Sequence, residues 1–269
     1  MIFNETYNYI RSAHAELFHN TTIEKVVIGI HFTAVQLSGG LVGIAKTEVD
    51  SNCCNSSKSK RNFGAFSPGK IQGQKILDLF ELEGKSDILD NVRLAVLNAV
   101  SSEIISHAKY NVIEDKDPID LVDLNQEKTI CIVGAFQSYM NKIAATKNKL
   151  FVLELNENAF NEDQKQFYVP AEQYEKTFAK SDIIIITGAT LANNTLDKLL
   201  ECIPEHAQTI LVGPSSSIVP DILFKHNVNI IGSTKILDTE KMFTIISEGG
   251  TGYHLFNSCA KKICLVNEN

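Results

Sequence analysis

The 269-residue sequence has no CxxC pair, no basic excess and no apolar run near membrane-span length. Each absence removes a class of protein. Without paired cysteines there is no zinc ribbon or thioredoxin-type centre. The six thiols, Cys53, Cys54, Cys131, Cys202, Cys259 and Cys264, read mostly as small buried hydrophobes in a reducing compartment. A net charge of −7 argues against nucleic acid as a partner, because its binding sites are basic. A bilayer-crossing helix needs about 20 apolar residues, so no membrane partner is expected. Residues 1–18, MIFNETYNYIRSAHAELF, carry polar residues every few positions and no signal-peptide core. The expected location is therefore the cytoplasm. P-loop, HExxH, nucleophile-elbow and Ser–His–Asp patterns are all missing, which excludes those mechanisms in their usual form.

What is present is ordinary globular composition, 44% hydrophobic and 21% charged. The length suits two modest domains. Residues 2–18 show helical spacing of Ile2, Tyr9, Ile10, Ala13 and Leu17. Two β-branched runs, 23–37 and 41–45, flank Ser38-Gly39-Gly40 and read as a β-hairpin. Residues 50–68 form a polar loop containing Cys53-Cys54, a pair able in principle to capture a soft metal. Helical patterning resumes at 76–82 and 88–108. An acidic stretch with Pro118, residues 111–126, reads as a linker between a first domain (1–110) and a second (127–269). His31, placed mid-strand, and His107, near a helix end, read as structural residues.

From residue 127 the rhythm changes. Five short apolar runs, 129–134, 150–155, 182–188, 209–213 and 229–232, alternate with helical segments such as 171–180, 195–203 and 239–247. That alternation implies βαβ units and a parallel sheet. Ligands of such sheets bind outside the carboxyl ends of the strands. There the sequence gathers Gly134 and Phe136, then Glu154, then Thr187, Thr190, Asn194 and Thr195, then Gly213, Pro214, Ser215 and Ser216, and finally Asp238. The 209–220 stretch, TILVGPSSSIVP, reads as a strand emptying into a polar pocket floor beside a helix start. Glu154 follows Gly134 at about the 20-residue spacing of a ribose-binding acid. The residues after Gly134, Ala135-Phe136-Gln137-Ser138-Tyr139, lack the further glycines of a dinucleotide fingerprint. Classical NAD binding is therefore disfavoured, while a smaller anion or a nucleoside stays open.

Residues 182–195, DIIIITGATLANNT, and 210–224, ILVGPSSSIVPDILF, together resemble the bacterial and archaeal family described as "putative heavy-metal chelation". More weakly, Phe32-Thr33-Ala34-Val35 with Gly43, and LAVLNA around Asn98, resemble its front half. The resemblance implies an α/β fold: a small α+β domain like the enolase N-terminal domain, then a Rossmann-like domain with a parallel sheet. It places the site in the cleft between them. It also implies roles for Thr187, Thr190, Asn194, Thr195, Gly213, Pro214, Ser215, Asp238 and Glu154, with Thr33 from the hairpin. Glu154 and Asp238 are the candidate ligands for a divalent metal ion. Two departures stand out. Gln137 replaces a proline after Phe136, and Arg93 replaces a small residue where it could reshape the cleft. The reading is thus a bacterial binding protein for a metal ion or small molecule, with a homodimer as the default assembly. The alternatives are an enzyme acting on a small anionic or nucleotide-like metabolite, with the 215–217 serines holding the anion, or a scaffold.

Overall fold

The computed structural model describes residues 1–48, 63–83 and 86–268. The Cys53-Cys54 pair lies outside the described residues. Helices α1 (Ile2–Ala13) and α2 (Ala15–Asn20) open the chain and bury Ile2, Ile10 and Phe18. Next come strands β1 (Ile23–Ile28), β2 (Phe32–Leu37) and β3 (Val42–Lys46), an antiparallel sheet in the order β1-β2-β3. The turn at Ser38-Gly39-Gly40 joins β2 to β3, as the sequence suggested. The run 23–37, however, is two strands rather than one. An unbroken strand there would extend about 50 Å. Instead the chain reverses at residues 29–31, where the Gly29 N–H donates to the Phe32 carbonyl (2.9 Å), so His31 sits in a bend.

Helix α3 (Ile76–Glu81) leads to α4 (Asp87–His107), the longest element, begun by a Ser86 side chain that accepts from the Leu89 N–H. Apolar residues occur all round α4, and a helix of that kind is covered on every side. One side packs on β2 and β3, the other on the back half of the chain. Gly43 sets the closeness of the first contact. A Cβ there would lie 2.2 Å from the Ala95 carbonyl oxygen and 2.4 Å from the Ala99 nitrogen.

The back half is built on one eight-stranded sheet, ordered β4-β11-β10-β9-β8-β5-β6-β7. Its strands are β4 (Asn111–Glu114), β5 (Thr129–Val133), β6 (Lys149–Glu154), β7 (Tyr168–Pro170), β8 (Ile183–Thr187), β9 (Gln208–Val212), β10 (Ile230–Ile236) and β11 (Ala260–Val266). Between them run α5 (Gln137–Ala144), α6 (Tyr174–Phe178), α7 (Ala189–Ala192), α8 (Leu196–Leu200), α9 (Pro220–Lys225), α10 (Thr239–Ser247) and α11 (Gly252–Phe256). All five expected strands are present and mutually parallel. The all-isoleucine interior of β8, Ile183 to Ile186, is fully buried, as a central parallel strand requires.

Three strands went unread. β7 is short and ends in Pro170, which an edge strand tolerates because its outer N–H needs no partner. β11 returns antiparallel along all of β10. β4 pairs with β11, so residues 111–114 of the expected linker belong to the sheet. Strand order reverses between β5 and β8: β6 and β7 extend one way, β9 and β10 the other. A crevice opens at such a reversal. The core does not divide with the chain, since one apolar cluster joins Ile2, Val35 and Val96 to Ile184, Ile186 and Leu211.

Substituting Gly43→Ala is expected to cost at least about 3 kcal/mol, the upper end for overpacking, because both clashing atoms are backbone. Urea denaturation of the variant against the parent protein measures it.

Candidate functional site

The crevice at the reversal is a cleft of about 570 Å³. Its floor is the turn after β5 (Gly134, Ala135, Phe136) and the end of β8 (Thr187). Leu153, Glu154 and Leu155 form one wall, and Ala189, Thr190, Asn193, Thr195, Lys198 and Leu199 the other. Ala171, Glu172 and Tyr174 close one side, and Glu48, from the front half, contributes to the lining.

Gly134 is needed where it stands. Its φ is +97°, and a Cβ would press on the Thr187 side chain at 3.3 Å. The turn it makes carries Phe136 to the start of α5, stacked on Tyr139 at 5.4 Å. Glu154 then clips the turn in place. Its Oε2 accepts from the Ala135 N–H (3.0 Å), and its Oε1 from the N–H groups of Leu155 (2.8 Å) and Asn156 (3.1 Å). Thr190 donates to the Thr187 carbonyl (2.6 Å) and Thr195 to Asn193 Oδ1 (2.6 Å). Both hydroxyls keep lone pairs with which to accept from a ligand.

Gly134, Phe136, Glu154, Thr187, Thr190 and Thr195 are therefore brought together. Asn194 lines an adjoining hollow of about 270 Å³ with Glu48, Asp87, Asp90 and Asn91.

The other expected residues are placed elsewhere. Gly213, Pro214, Ser215 and Ser216 form no pocket floor. Ser215 Oγ accepts from the Lys46 N–H of β3 (2.7 Å), and Ser216 Oγ lies 2.5 Å and 2.7 Å from the Gly213 and Gly232 carbonyls. Both serines are buried. The loop docks on the front half, so its hydroxyls turn into the protein.

Thr33 is fully buried, 3.0 Å from the Thr47 hydroxyl. Asp238 caps α10 by accepting from the Lys241 N–H (3.0 Å). It follows β10, four strands from β6, or roughly 19 Å at the usual strand spacing, too far to share an ion with Glu154. Arg93 does not enter the cleft. Its guanidinium donates to the Leu79 (3.0 Å) and Leu82 (2.9 Å) carbonyls and to Asp90 (2.7 Å), closing the end of α3.

Glu48, Glu172, Tyr174, Ala189 and Lys198 were not anticipated. Glu48 is invisible in sequence because α4 delivers it. The Asn91 side chain accepts from the Glu48 N–H (3.1 Å) and donates to its carbonyl (2.7 Å). Lys198 was findable as a cation in α8, just past Thr195.

Residues 117–265 match the family described as "Putative heavy-metal chelation" (DUF364), more than half of the chain. The chain belongs to this family. Residues 10–101 match a companion family of the same description (DUF4213). An uncharacterised protein of Methanocaldococcus jannaschii is 28% identical over 179 residues, and the match spans 65% of each protein. A DUF364-family crystal structure from Pyrococcus horikoshii, of unknown function, superposes with a TM-score of 0.77 at 18% identity, covering 98% of this chain and 99% of that one. A second, from Desulfitobacterium hafniense, gives 0.71 at 18% identity, covering 97% and 100%. These two share the fold: a small antiparallel sheet with helices, then a mostly parallel Rossmann-like sheet.

The family description raises the question of a metal centre, and the donors are the test. Among the described residues no three His, Cys, Asp or Glu side chains converge. The ligating groups that line the cleft are the carboxylates of Glu48, Glu154 and Glu172, hard oxygen donors, whereas soft metals prefer thiolate and imidazole. Both Glu154 oxygens are already bonded to backbone N–H groups. Burial pushes the Cys131 and Cys264 thiols up to about 12, far from the thiolate a metal needs. The described residues do not fit a protein-only site for a heavy metal. No helix among them is long and apolar enough to cross a membrane.

Two outcomes follow from this geometry. Ser215→Ala is expected to cost about 1–3 kcal/mol by stranding the Lys46 N–H, measured by urea denaturation, with any cleft ligand still bound. Iodoacetamide at pH 8, read by peptide mass spectrometry, is expected to leave Cys131 and Cys264 unlabelled until the protein is denatured.

Proposed function

We propose that this chain is a small-ligand-binding protein whose site is the cleft at the β5/β8 reversal of a Rossmann-like domain (127–269), to which a front domain (1–110) contributes Glu48. The observation that carries the reading is the cleft itself. Its size lies within the range of about 300–1,000 Å³ typical of sites for organic molecules. Its lining is largely apolar (Val133, Ala135, Phe136, Leu153, Leu155, Tyr174, Ala189 and Leu199), interspersed with threonine, asparagine, glutamate and lysine side chains. Walls of that kind suit the body of an organic molecule better than a bare ion. The chelation in the family description is then best served by an ion that arrives inside an organic chelator. Nickel, cobalt, zinc or copper salts alone are not expected to bind in the cleft. The enzyme reading placed an anion on the 215–217 serines; Ser215 and Ser216 bond to the protein, and Ser217 lines a separate hollow with Ser233, Thr234 and Lys235 rather than this cleft.

Binding to the folded state alone stabilises it by about 2.7 kcal/mol at a hundredfold excess over Kd. A thermal-shift screen of metabolites and of metal chelates, run beside the bare salts, is expected to find a stabilising organic molecule. Ala189→Phe, which puts a ring into the cleft, is expected to abolish that shift. A shift unchanged in Ala189→Phe, or tight calorimetric binding of a bare ion that the same substitution removes, overturns the reading.

A further inference from the structure

The turn after β5 has the donors of an anion site and already holds an anion. In dinucleotide-binding sheets of this strand order, the first strand's turn and the following helix start offer backbone N–H groups to a pyrophosphate. Here the Ala135 N–H of that turn points at Glu154 Oε2 (3.0 Å). The Leu155 and Asn156 N–H groups of the neighbouring strand end converge on Oε1 (2.8 and 3.1 Å). Three donors from two strand-end turns thus hold one half-buried carboxylate. Hydrogen bonds from backbone N–H to a carboxylate are stronger than those between neutral groups. The carboxylate is also tethered to the chain, so a free anion competes against a very high effective concentration.

The remaining charges act in the same direction. Among the described residues, Glu48, Glu154 and Glu172 share the lining with one cation, Lys198, an excess of two negative charges. A phosphate entering the turn would have to expel Glu154 and then sit beside it, like charge against like.

We propose that Glu154 is the resident anion of this cleft, a specificity residue that shuts out ligands bringing a phosphate or carboxylate to the β5 turn. The cleft then accepts an uncharged or cationic organic molecule. This rests on the reading of the cleft as a binding site, but makes its own demand on Glu154.

Inorganic phosphate and AMP are the probes, with melting temperature and calorimetry as readouts. The parent protein is expected to show no shift with either. Glu154→Ala, which empties the cradle but keeps its three N–H donors, is expected to melt lower. Phosphate should restore it in a saturable manner, and AMP should pass from undetectable to measurable binding. Glu154→Ser repeats the test with a smaller loss of polarity. Phosphate or AMP binding to the parent protein overturns the proposal. So does failure of millimolar phosphate to stabilise either variant, including failure to rescue its folding, because an emptied anion cradle must accept an anion. The two readings fail separately. An organic ligand that binds beside phosphate in the parent protein sinks the role of Glu154 alone. Rescue of Glu154→Ala with no ligand found for the cleft sinks the binding reading alone.

Discussion

The Asn98 side-chain amide, near the middle of α4, ties the two halves of the chain together. It donates to the Ile44 carbonyl of β3 (2.7 Å) and lies 3.3 Å from each of the Pro214 and Ser215 carbonyls after β9. One buried side chain thus satisfies backbone acceptors on both sides of the joint. An unpaired carbonyl there would cost more than a surface bond returns. The Lys46 N–H completes the seam by donating to Ser215 Oγ. The joint forms because Gly43 lets α4 approach β3 at backbone distance, which brings the β3 edge within reach of the 213–217 loop. Apolar packing runs on across it, so the halves share a core rather than merely touching.

The cleft is a consequence of that joint. A doubly wound sheet opens a crevice wherever its strand order reverses, and here the reversal lies between β5 and β8. Docking of the front half carries Glu48 to it, with the main chain on either side of Glu48 held by Asn91. The result is a largely apolar hollow with three carboxylates in its lining, beside a turn whose Ala135 N–H is already bonded to Glu154. Membership of the heavy-metal chelation family and the shared fold of the archaeal and bacterial structures set this chain among proteins of the same design. The donor chemistry directs attention to an organic ligand.

Much of this was legible, and the misses have a pattern. Strand-end residues next to the reversal, Gly134, Phe136, Glu154, Thr187, Thr190 and Thr195, were found because such ends gather in one place whatever the details. Ser215, Ser216 and Asp238 belong to equally good strand-end sequences but lie toward the other side of the sheet, where the front half, the neighbouring Gly213 and Gly232 carbonyls and a helix cap respectively engage their oxygens. Nothing in TILVGPSSS says which way its hydroxyls turn. Arg93 looked able to reshape the cleft because it stands where the family has a small residue, yet the Leu79 and Leu82 carbonyls at the end of α3 take the guanidinium.

By itself the sequence determined the five central strands and the class of sheet, but not the outer strands β4, β7 and β11. Apolar periodicity records how many faces of a segment are buried, and that is a local property. Ile183 to Ile186 could only be a strand covered on both sides. What the tertiary structure alone decided was strand order, and with it the position of the reversal and the identity of the residues facing the hollow. Strand order depends on pairings between segments far apart in the chain, such as β5 with β8 or β4 with β11. The energy of those contacts appears only once both partners are in place, so neither segment carries a trace of the other.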